Sequence, residues 1–287
     1  QTLEAYDMAS ATAVKKSSHT PGAGVRVLSA MITSDVGEGG AGAQLVTPRN
    51  DGYVVSLGSG LVPTNSQALG QFKRTGMRNG GFMGASPLVA DLDGDGKVEV
   101  LARVSRGMLV CIDPAGSSLV KPPKLLWEIK TLSTLRPAVA DLDGDGKKEV
   151  LLDDSLNTQV VVYRHDGKKF WSYPPSSAPW TNRVLVGSLL WGDVSGDKVP
   201  DVIYVVYDKS DKKRYVGALH GKLGTPVWSA KEVGHISGGC GLGIQTLKDL
   251  DGDGLLDVVF TACKTILGIK GTDGTVLNPQ NIQSSIV

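Results

Sequence analysis

One acidic segment recurs along this 287-residue chain and decides its fold: it reads PLVADLDGDGKVEV at residues 87–100 and PAVADLDGDGKKEV at residues 137–150. A shorter copy, LKDLDGDGLLDV, occupies residues 247–258, and a weaker copy, LLWGDVSGDKVPDV, occupies residues 189–202. The first loop aspartates of successive copies are 50, 52 and 56 residues apart. A period of about 50 residues is typical of a chain built from repeated supersecondary units.

Short apolar segments of strand length surround each copy. Around the first full copy they are SPLVA at 86–90, VEVLARV at 98–104, MLVCI at 108–112 and KLLWEI at 124–129. Four antiparallel strands in about 50 residues are typical of one blade of a β-propeller. The 37 glycines, spread along the chain, fit many tight turns between short strands and disfavour a helical bundle.

A degenerate copy precedes these four. The same frame, stepped back along the chain, reaches Asp35, where Gly37 and Gly39 stand in place of carboxylates. The strand-like segments AQLV at 43–46 and YVVSL at 53–57 keep the spacing of the other copies. We therefore predict an all-β fold, a β-propeller of about five four-stranded blades, with more blades only if the chain ends or a missing part supply them.

The repeat sets the expected domain boundaries. Residues 25–287 are predicted to form the propeller, and residues 1–24, which do not fit the repeat, are interpreted as an N-terminal arm or linker. The arm is expected to supply a closing strand or to dock on a neighbouring molecule. An aromatic residue recurs in the fourth strand, and we expect Trp127, Trp171 and Trp228 to pack between blades.

The repeated loops place oxygen ligands at fixed positions. Asp stands at position 1, Asp or Ser at 3, Asp at 5, usually Gly at 6, and Asp or Glu at 9, and the backbone carbonyl at position 7 is a further ligand. Oxygen donors at alternating positions of a tight turn suit Ca²⁺ better than zinc or copper. The predicted metal ligands are Asp91, Asp93, Asp95, Lys97 (backbone O) and Glu99; Asp141, Asp143, Asp145, Lys147 (backbone O) and Glu149; Asp193, Ser195, Asp197, Val199 (backbone O) and Asp201; and Asp249, Asp251, Asp253, Leu255 (backbone O) and Asp257.

Three loops carry the full set, and the fourth departs from it. Ser195 replaces a carboxylate and Lys198 replaces the glycine, so we expect three calcium sites and a weaker fourth site at Asp193. An EF-hand is excluded because position 12 holds no Glu and the flanking segments are strand-like. Acidic β-turns without metal remain the alternative.

The run from about residue 86 to 270 resembles the FG-GAP/VCBS repeats of integrin-α-like propellers. The motif that carries the resemblance is DLDGDGKVE at 91–99 and its copies. The resemblance implies a propeller with Ca²⁺ bound in the loops between the first and second strands of a blade, and it leaves the ligand open. Two segments, GMLVCIDPAG at 107–116 and GALHGKLGTPVW at 217–228, also look like quinoprotein-type propeller repeats, but we assign no quinone cofactor.

Charge adds an expectation about the partner. The four loops hold 15 of the 29 acidic residues, so the rest of the chain has 30 basic residues against 14 acidic ones. Four bound Ca²⁺ ions would change the formal charge from +1 to +9, which suits an anionic partner such as an acidic polysaccharide. Lysines scattered evenly over the surface are the alternative. We expect no nucleic-acid partner, because no basic cluster is interleaved with aromatics.

Other residues give weaker indications. His235, Trp180 and Trp191 are candidates for a ligand face, with ordinary packing or exposure as the alternative. Cys240 and Cys263 fall in adjacent predicted strands and either form a disulfide or remain free, while Cys111 is expected to be a buried thiol. No segment approaches the roughly 20 apolar residues that cross a bilayer, so we expect no membrane span.

Three functions remain open. The first is an extracellular or cell-surface (otherwise periplasmic) calcium-binding module for adhesion or for a glycan or protein ligand, because extracellular calcium modules bind at roughly 10⁻⁴–10⁻³ M and would be largely empty in a cytosol. The second is a structural subunit of a cell-surface or filamentous assembly that self-assembles through residues 1–24. The third is a calcium-dependent polysaccharide lyase, although we can assign no catalytic residue in the sequence.

Overall fold

The computed structural model describes most of the second half of the chain and separate strands before it. The first six strands are described by their backbone. The described ranges are residues 3–7, 14–19, 32–34, 44–48, 53–57, 68–71, 87–104, 108–113, 124–131, 136–154, 156, 158–235, 243–262 and 265–277.

The chain divides into two compact units, and the first spans Gln1–Thr131. It contains one two-stranded hairpin, β1-β2, and two four-stranded antiparallel sheets, β3-β4-β5-β6 and β7-β8-β9-β10. The strands are β1 (Leu3–Asp7), β2 (Val14–His19), β3 (Ile32–Ser34), β4 (Gln44–Pro48), β5 (Tyr53–Leu57), β6 (Ala68–Gln71), β7 (Leu88–Ala90), β8 (Glu99–Val104), β9 (Met108–Asp113) and β10 (Lys124–Lys130).

The second unit spans Leu132–Val287 and contains three sheets of the same kind. The strands are β11 (Ala138–Ala140), β12 (Glu149–Asp153), β13 (Val160–Tyr163), β14 (Lys169–Tyr173), β15 (Arg183–Leu185), β16 (Leu190–Gly192), β17 (Asp201–Asp208), β18 (Lys213–Leu219), β19 (Pro226–His235), β20 (Gly243–Lys248), β21 (Asp257–Ala262), β22 (Thr265–Ile269) and β23 (Val276–Leu277). We number the five sheets one to five in chain order, and each follows the up-and-down order of a propeller blade.

The fourth sheet differs from the others in its first strand. Two short pieces, β15 and β16, both pair with the long strand β17, so this sheet has five strands. The interruption contains Gly187, whose φ of 77° lies in the left-handed region that glycine tolerates. The bend at this glycine separates the two pieces, where the other sheets have a single first strand.

Strand β17 explains how the second unit is packed. Its residues are apolar without interruption from Val202 to Val206, and successive side chains of a strand point to opposite faces. Val202, Tyr204 and Val206 therefore join the core shared with the third sheet, and Ile203 and Val205 join the core shared with the fifth. Burial of each such side chain contributes about 1.5–3 kcal/mol.

A tryptophan in the last strand of one sheet binds a turn of the next sheet. Trp171 Nε1 donates to the carbonyl of Gly221 at 2.7 Å, and Trp228 Nε1 donates to the carbonyl of Gly271 at 2.7 Å. A Cβ on Gly224 would lie 2.6 Å from the Trp171 ring, so only glycine fits against it. The expected packing of these tryptophans between sheets is thus seen in the second unit.

Candidate metal centre

Each acidic loop connects the first and second strands of its sheet. The residue before position 1 pairs with the residue at position 9, as in Ala90 with Glu99 and Ala140 with Glu149. Position 9 is therefore also the first residue of the second strand. The strand register places the two ends of the loop side by side and brings its first and last carboxylates to one place.

The aspartate at position 1 organises the loop backbone. Asp141 accepts hydrogen bonds from the N–H groups of Gly144 at 2.7 Å and Gly146 at 2.9 Å, and both glycines have φ near 80°. Asp91 and Asp249 accept the equivalent bonds in their own loops. The aspartate at position 5 accepts a hydrogen bond from the backbone N–H at position 7 in every loop. These aspartates are Asp95, Asp145, Asp197 and Asp253, and the donors are Lys97, Lys147, Val199 and Leu255.

The carboxylate at position 9 is buried in all four loops. Glu99 is 5% exposed, Glu149 and Asp201 are 0% exposed, and Asp257 is 1% exposed. One oxygen of each accepts the N–H at position 2, at 2.8–3.0 Å. A buried carboxylate disfavours its charged form unless a cation or enough hydrogen bonds compensate.

Burial changes the acidity of these groups. It raises the pKa of Glu149 to about 7, and the charges of Asp143 and Asp145 raise it further, against the lowering effect of the Leu142 N–H. Burial is also the largest cause of the raised pKa values of Glu99, Asp201 and Asp257. A divalent cation between the carboxylates would supply the missing positive charge.

In three loops the carboxylates at positions 1, 3 and 9 converge. Each group offers one oxygen per residue, and these oxygens lie within 4.8 Å of one another; the groups are Asp91, Asp93 and Glu99; Asp141, Asp143 and Glu149; and Asp249, Asp251 and Asp257. In the third sheet, Glu149 Oε1 and Asp143 Oδ1 are buried and accept no hydrogen bond. These acidic clusters can hold a metal ion, and hard oxygen donors suit Ca²⁺.

The residue that follows the third strand contacts the acidic loop of its own sheet. In the third sheet, Arg164 Nη1 lies 3.0 Å from Asp143 Oδ2. In the fifth sheet, Lys270 Nζ lies 2.6 Å from Asp251 Oδ2 and 2.9 Å from Asp253 Oδ2. Lys270 lowers the pKa of Asp253 through this contact. These counter-ions were not predicted from the sequence, although a comparison of the copies shows that each is a basic residue directly after the third strand.

We number the acidic loops by their sheets, so the fourth loop is residues 193–201 of the fourth sheet and the fifth loop is residues 249–257 of the fifth sheet. The fourth loop keeps the backbone of the others with different side chains. Lys198 takes the place of glycine with a φ of 70°, and its N–H still donates to Asp193 Oδ2 at 2.9 Å. The converging group here consists of Asp197, Asp201 and His220 instead of positions 1, 3 and 9. His220 follows the third strand of this sheet, β18, and was not predicted from the sequence to belong to the loop.

The structure describes two of the three candidates for a ligand face by their side chains. Trp180 packs against Tyr173 and Tyr204, with ring centroids 5.8 and 5.5 Å apart. Trp191, on β16, is 46% exposed. His235 ends β19, and its side chain lies outside the described residues.

The cysteine predictions have different outcomes. Cys111 is a buried free thiol, as expected, and burial raises its pKa. Cys240 and Cys263 lie outside the described residues, so their pairing stays a prediction. Among the described residues, no helix has the length and apolar character needed to cross a membrane.

A comparison with protein families finds one match. Residues 141–204 match the FG-GAP-like repeat, and this segment contains the third acidic loop and the fourth. No curated protein matches the chain.

Solved structures of β-propeller proteins share the fold. The crystal structure of Sqt1 from Saccharomyces cerevisiae is 12% identical and matches with a TM-score of 0.56, covering 92% of this chain and 64% of Sqt1. The quinohemoprotein alcohol dehydrogenase from Comamonas testosteroni is 12% identical and matches with a TM-score of 0.52, covering 88% of this chain and 42% of the enzyme. The chain thus spans less than two thirds of either protein, and identities this low bear on the fold alone.

These findings confirm the predicted resemblance and the predicted fold class. An FG-GAP-like repeat in a propeller fold indicates a ligand-binding or protein-interaction module. Residues 141–204 thus resemble the FG-GAP-like repeat, and the chain that contains them has an all-β fold of propeller type.

Proposed function

We propose that this chain is an extracellular calcium-binding module that presents a surface for a glycan or protein ligand, with Ca²⁺ in a structural role. One observation carries the proposal: carboxylates at positions 1, 3 and 9 converge in three separate loops, and the position-9 carboxylate is buried each time. Three like charges this close repel one another strongly unless a cation lies among them.

The position of the loops supports a structural role for the ion. The ligands at positions 1 and 3 follow the first strand of a sheet, and the ligand at position 9 begins the second. An ion bound to all three would hold the two strands together at that end. Because the ion binds the folded loop far better than the unfolded chain, its binding free energy adds to stability.

The expected affinity supports the proposed location. Extracellular calcium modules bind at roughly 10⁻⁴–10⁻³ M, a range that calcium outside cells reaches. The proposed ligand is a glycan or protein at a cell surface, with anionic groups favoured, because loaded loops leave the excess basic charge of the chain uncompensated. The experiment for this part is a glycan array read with calcium and with a chelator. An array that shows no bound glycan, with calcium or with the chelator, would contradict a glycan ligand.

Calcium binding itself is tested by calorimetry and thermal unfolding. We expect Ca²⁺ uptake by the wild-type chain and a higher unfolding temperature in calcium than in chelator. Asp143→Asn and Asp251→Asn should each remove about one site, because each takes a charge from a converging group. Asp166→Asn is the matched control, since Asp166 pairs with Lys168 in an exposed turn outside these loops. Unfolding that is identical in calcium and chelator would contradict the proposal.

A structural subunit of a surface assembly is the second candidate, and one observation favours it. Strands β1 and β2 pair with each other and with no other strand that the structure describes. A hairpin of this kind is only marginally stable alone, so pairing with a neighbouring molecule would stabilise it. Deletion of residues 1–24 tests this candidate by sedimentation: an unchanged oligomeric state would dismiss the arm.

A further inference from the structure

The fourth loop differs from the other three in the atoms that converge. His220 Nδ1 lies 3.6 Å from Asp201 Oδ1 and 3.8 Å from Asp197 Oδ2. Asp201 Oδ1 is buried and accepts no hydrogen bond, although its partner oxygen Oδ2 accepts two, from Val194 and Ser195. A buried carboxylate oxygen without a donor, directed at an imidazole nitrogen, leaves room for a cation between them.

We propose that His220, Asp197 and Asp201 form a transition-metal site of the zinc class, distinct in chemistry from the calcium loops. Imidazole nitrogen is a good ligand for Zn²⁺, Co²⁺ and Ni²⁺ and a poor one for Ca²⁺, which prefers oxygen. Three protein ligands with one or two water positions are common around zinc. The proposal does not depend on calcium at the other loops.

The fold holds His220 against the loop. Its N–H donates to the carbonyl of Thr225 and its carbonyl accepts from Gly224, so it begins a tight turn. The next residue, Gly221, lies so close to the loop that an added Cβ would stand 2.0 Å from the carbonyl oxygen of Pro200. The carbonyl of Gly221 also accepts from Trp171 Nε1. The imidazole is thus positioned by backbone contacts that do not depend on a metal.

The fifth loop provides an internal comparison. There the equivalent residue after the third strand is Lys270, which pairs with Asp251 and Asp253. The second oxygen of the position-9 carboxylate, Asp257 Oδ1, accepts the Gly271 N–H at 2.9 Å. Protein groups therefore satisfy both oxygens of Asp257, whereas Asp201 Oδ1 in the fourth loop has no such donor. This difference separates the fourth loop from the fifth. In the loop of the third sheet, Glu149 Oε1 also has no donor, but the converging group there consists of carboxylates alone.

The donor separations fit a small cation. Two ligands of a tetrahedral Zn²⁺ with bonds of roughly 2.0–2.1 Å lie about 3.4 Å apart. The observed separations of 3.6 and 3.8 Å between His220 Nδ1 and the two carboxylate oxygens are slightly larger. His220 is 32% exposed at its side chain and Asp197 48%, so both ligands can adjust and water can reach the ion.

The test is a titration of the full chain with Zn²⁺ and with Co²⁺ in saturating Ca²⁺, so that the oxygen-only loops are filled first. We expect one Zn²⁺ per chain, and visible absorption from bound Co²⁺ that Zn²⁺ displaces. His220→Asn and Asp197→Asn should weaken Zn²⁺ binding at least tenfold. His165→Asn is the matched control, because His165 lies in the corresponding turn of the third sheet, outside the converging group.

Each outcome decides the proposal. Zinc uptake that is equal in the wild type and His220→Asn would assign it to adventitious surface binding and overturn the site. Loss of zinc uptake in saturating Ca²⁺ would overturn it as well, because the loop would then prefer calcium. Circular dichroism of His220→Asn confirms that the variant folds. A separate Ca²⁺ titration of that variant reports on the other loops, so failure of the zinc site and failure of the proposed calcium function are distinguishable.

Discussion

The substitution Glu149→Gln should change stability in opposite directions with and without calcium. Glu149 is 0% exposed, and one of its oxygens, Oε1, accepts no hydrogen bond. Burial raises its pKa in the folded protein from 4.5 to about 7. At neutral pH and without metal, keeping this group in the fold therefore costs free energy that the unfolded chain does not spend.

The size of this cost follows from the pKa. A pKa difference of one corresponds to about 1.4 kcal/mol, so the change in pKa from 4.5 to about 7 amounts to roughly 3 kcal/mol at pH 7. Because the pKa is raised in the folded state, the protein is free of this cost below about pH 4.5, where the group is protonated in both states, and it loses that stability as the pH rises through about 7. Gln is neutral and of similar shape, and its carbonyl can still accept the Leu142 N–H. We expect it to stabilise the metal-free protein at pH 7 by up to roughly 3 kcal/mol.

Calcium should reverse the advantage. The wild-type carboxylate is a ligand in the proposed site, so saturating Ca²⁺ would stabilise the wild type by about 2.7 kcal/mol per site at 100 times its Kd, and the variant by much less. Thermal unfolding in chelator and in calcium measures both effects; 3 kcal/mol corresponds to roughly 6–12 °C for a unit of this size. Glu232→Gln is the control, because Glu232 is an exposed partner of Lys213, and we expect changes within about 0.5 kcal/mol in both conditions. A Glu149→Gln protein that is less stable than the wild type in chelator, with an unchanged calcium effect, would refute the reasoning.

Three further results are expected. Lys270→Met should tighten Ca²⁺ binding at the fifth loop roughly fivefold, because the ammonium group no longer competes for Asp251 and Asp253; calorimetry giving equal or weaker binding would contradict this. Gly224→Ala should destabilise the second unit by about 2–4 kcal/mol in urea unfolding, since a Cβ would meet the Trp171 ring, whereas Gly187→Ala, with open space and a similar φ, should cost only about 1 kcal/mol; equal costs would dismiss the ring contact. Calcium binding near pH 6.5 should release protons, because Glu149 must lose its proton to become a ligand, and calorimetry in buffers of different ionisation enthalpy should show heats that vary with the buffer; identical heats would argue against it.

The strand pattern was predictable because the repeat marks both the apolar segments that form the strands and the turns and loops that end them. Strands such as β8, β9 and β10 fall within a residue or two of the apolar segments read from the sequence, since glycine-containing turns and acidic loops separate these segments. The loop backbone was predictable for the same reason: glycines at positions 4 and 6 adopt positive φ, and Lys198 shows that a non-glycine residue can do so too. The family match over 141–204 confirms the predicted resemblance to FG-GAP-like repeats.

Contacts between strands distant in sequence were not predictable in the same way. His220, Arg164 and Lys270 contact the acidic loops because the third strand of each sheet ends beside the loop. The sequence of a single copy does not show that the end of the third strand and the loop are neighbours. The division of the first strand of the fourth sheet depends on Gly187, one glycine among 37. Both features require the register of paired strands, which the spacing of apolar residues does not determine on its own.

The two peptide groups of Gly271 connect the acidic loop of the fifth sheet to the last strand of the fourth. The N–H of Gly271 donates to Asp257 at the fifth loop, and its carbonyl accepts from Trp228 of the preceding sheet. Loosening of the fifth loop should therefore weaken the contact between Gly271 and Trp228 of the fourth sheet. Hydrogen–deuterium exchange at the Gly271 amide would report both the binding of metal in the fifth loop and the integrity of this contact between the two sheets.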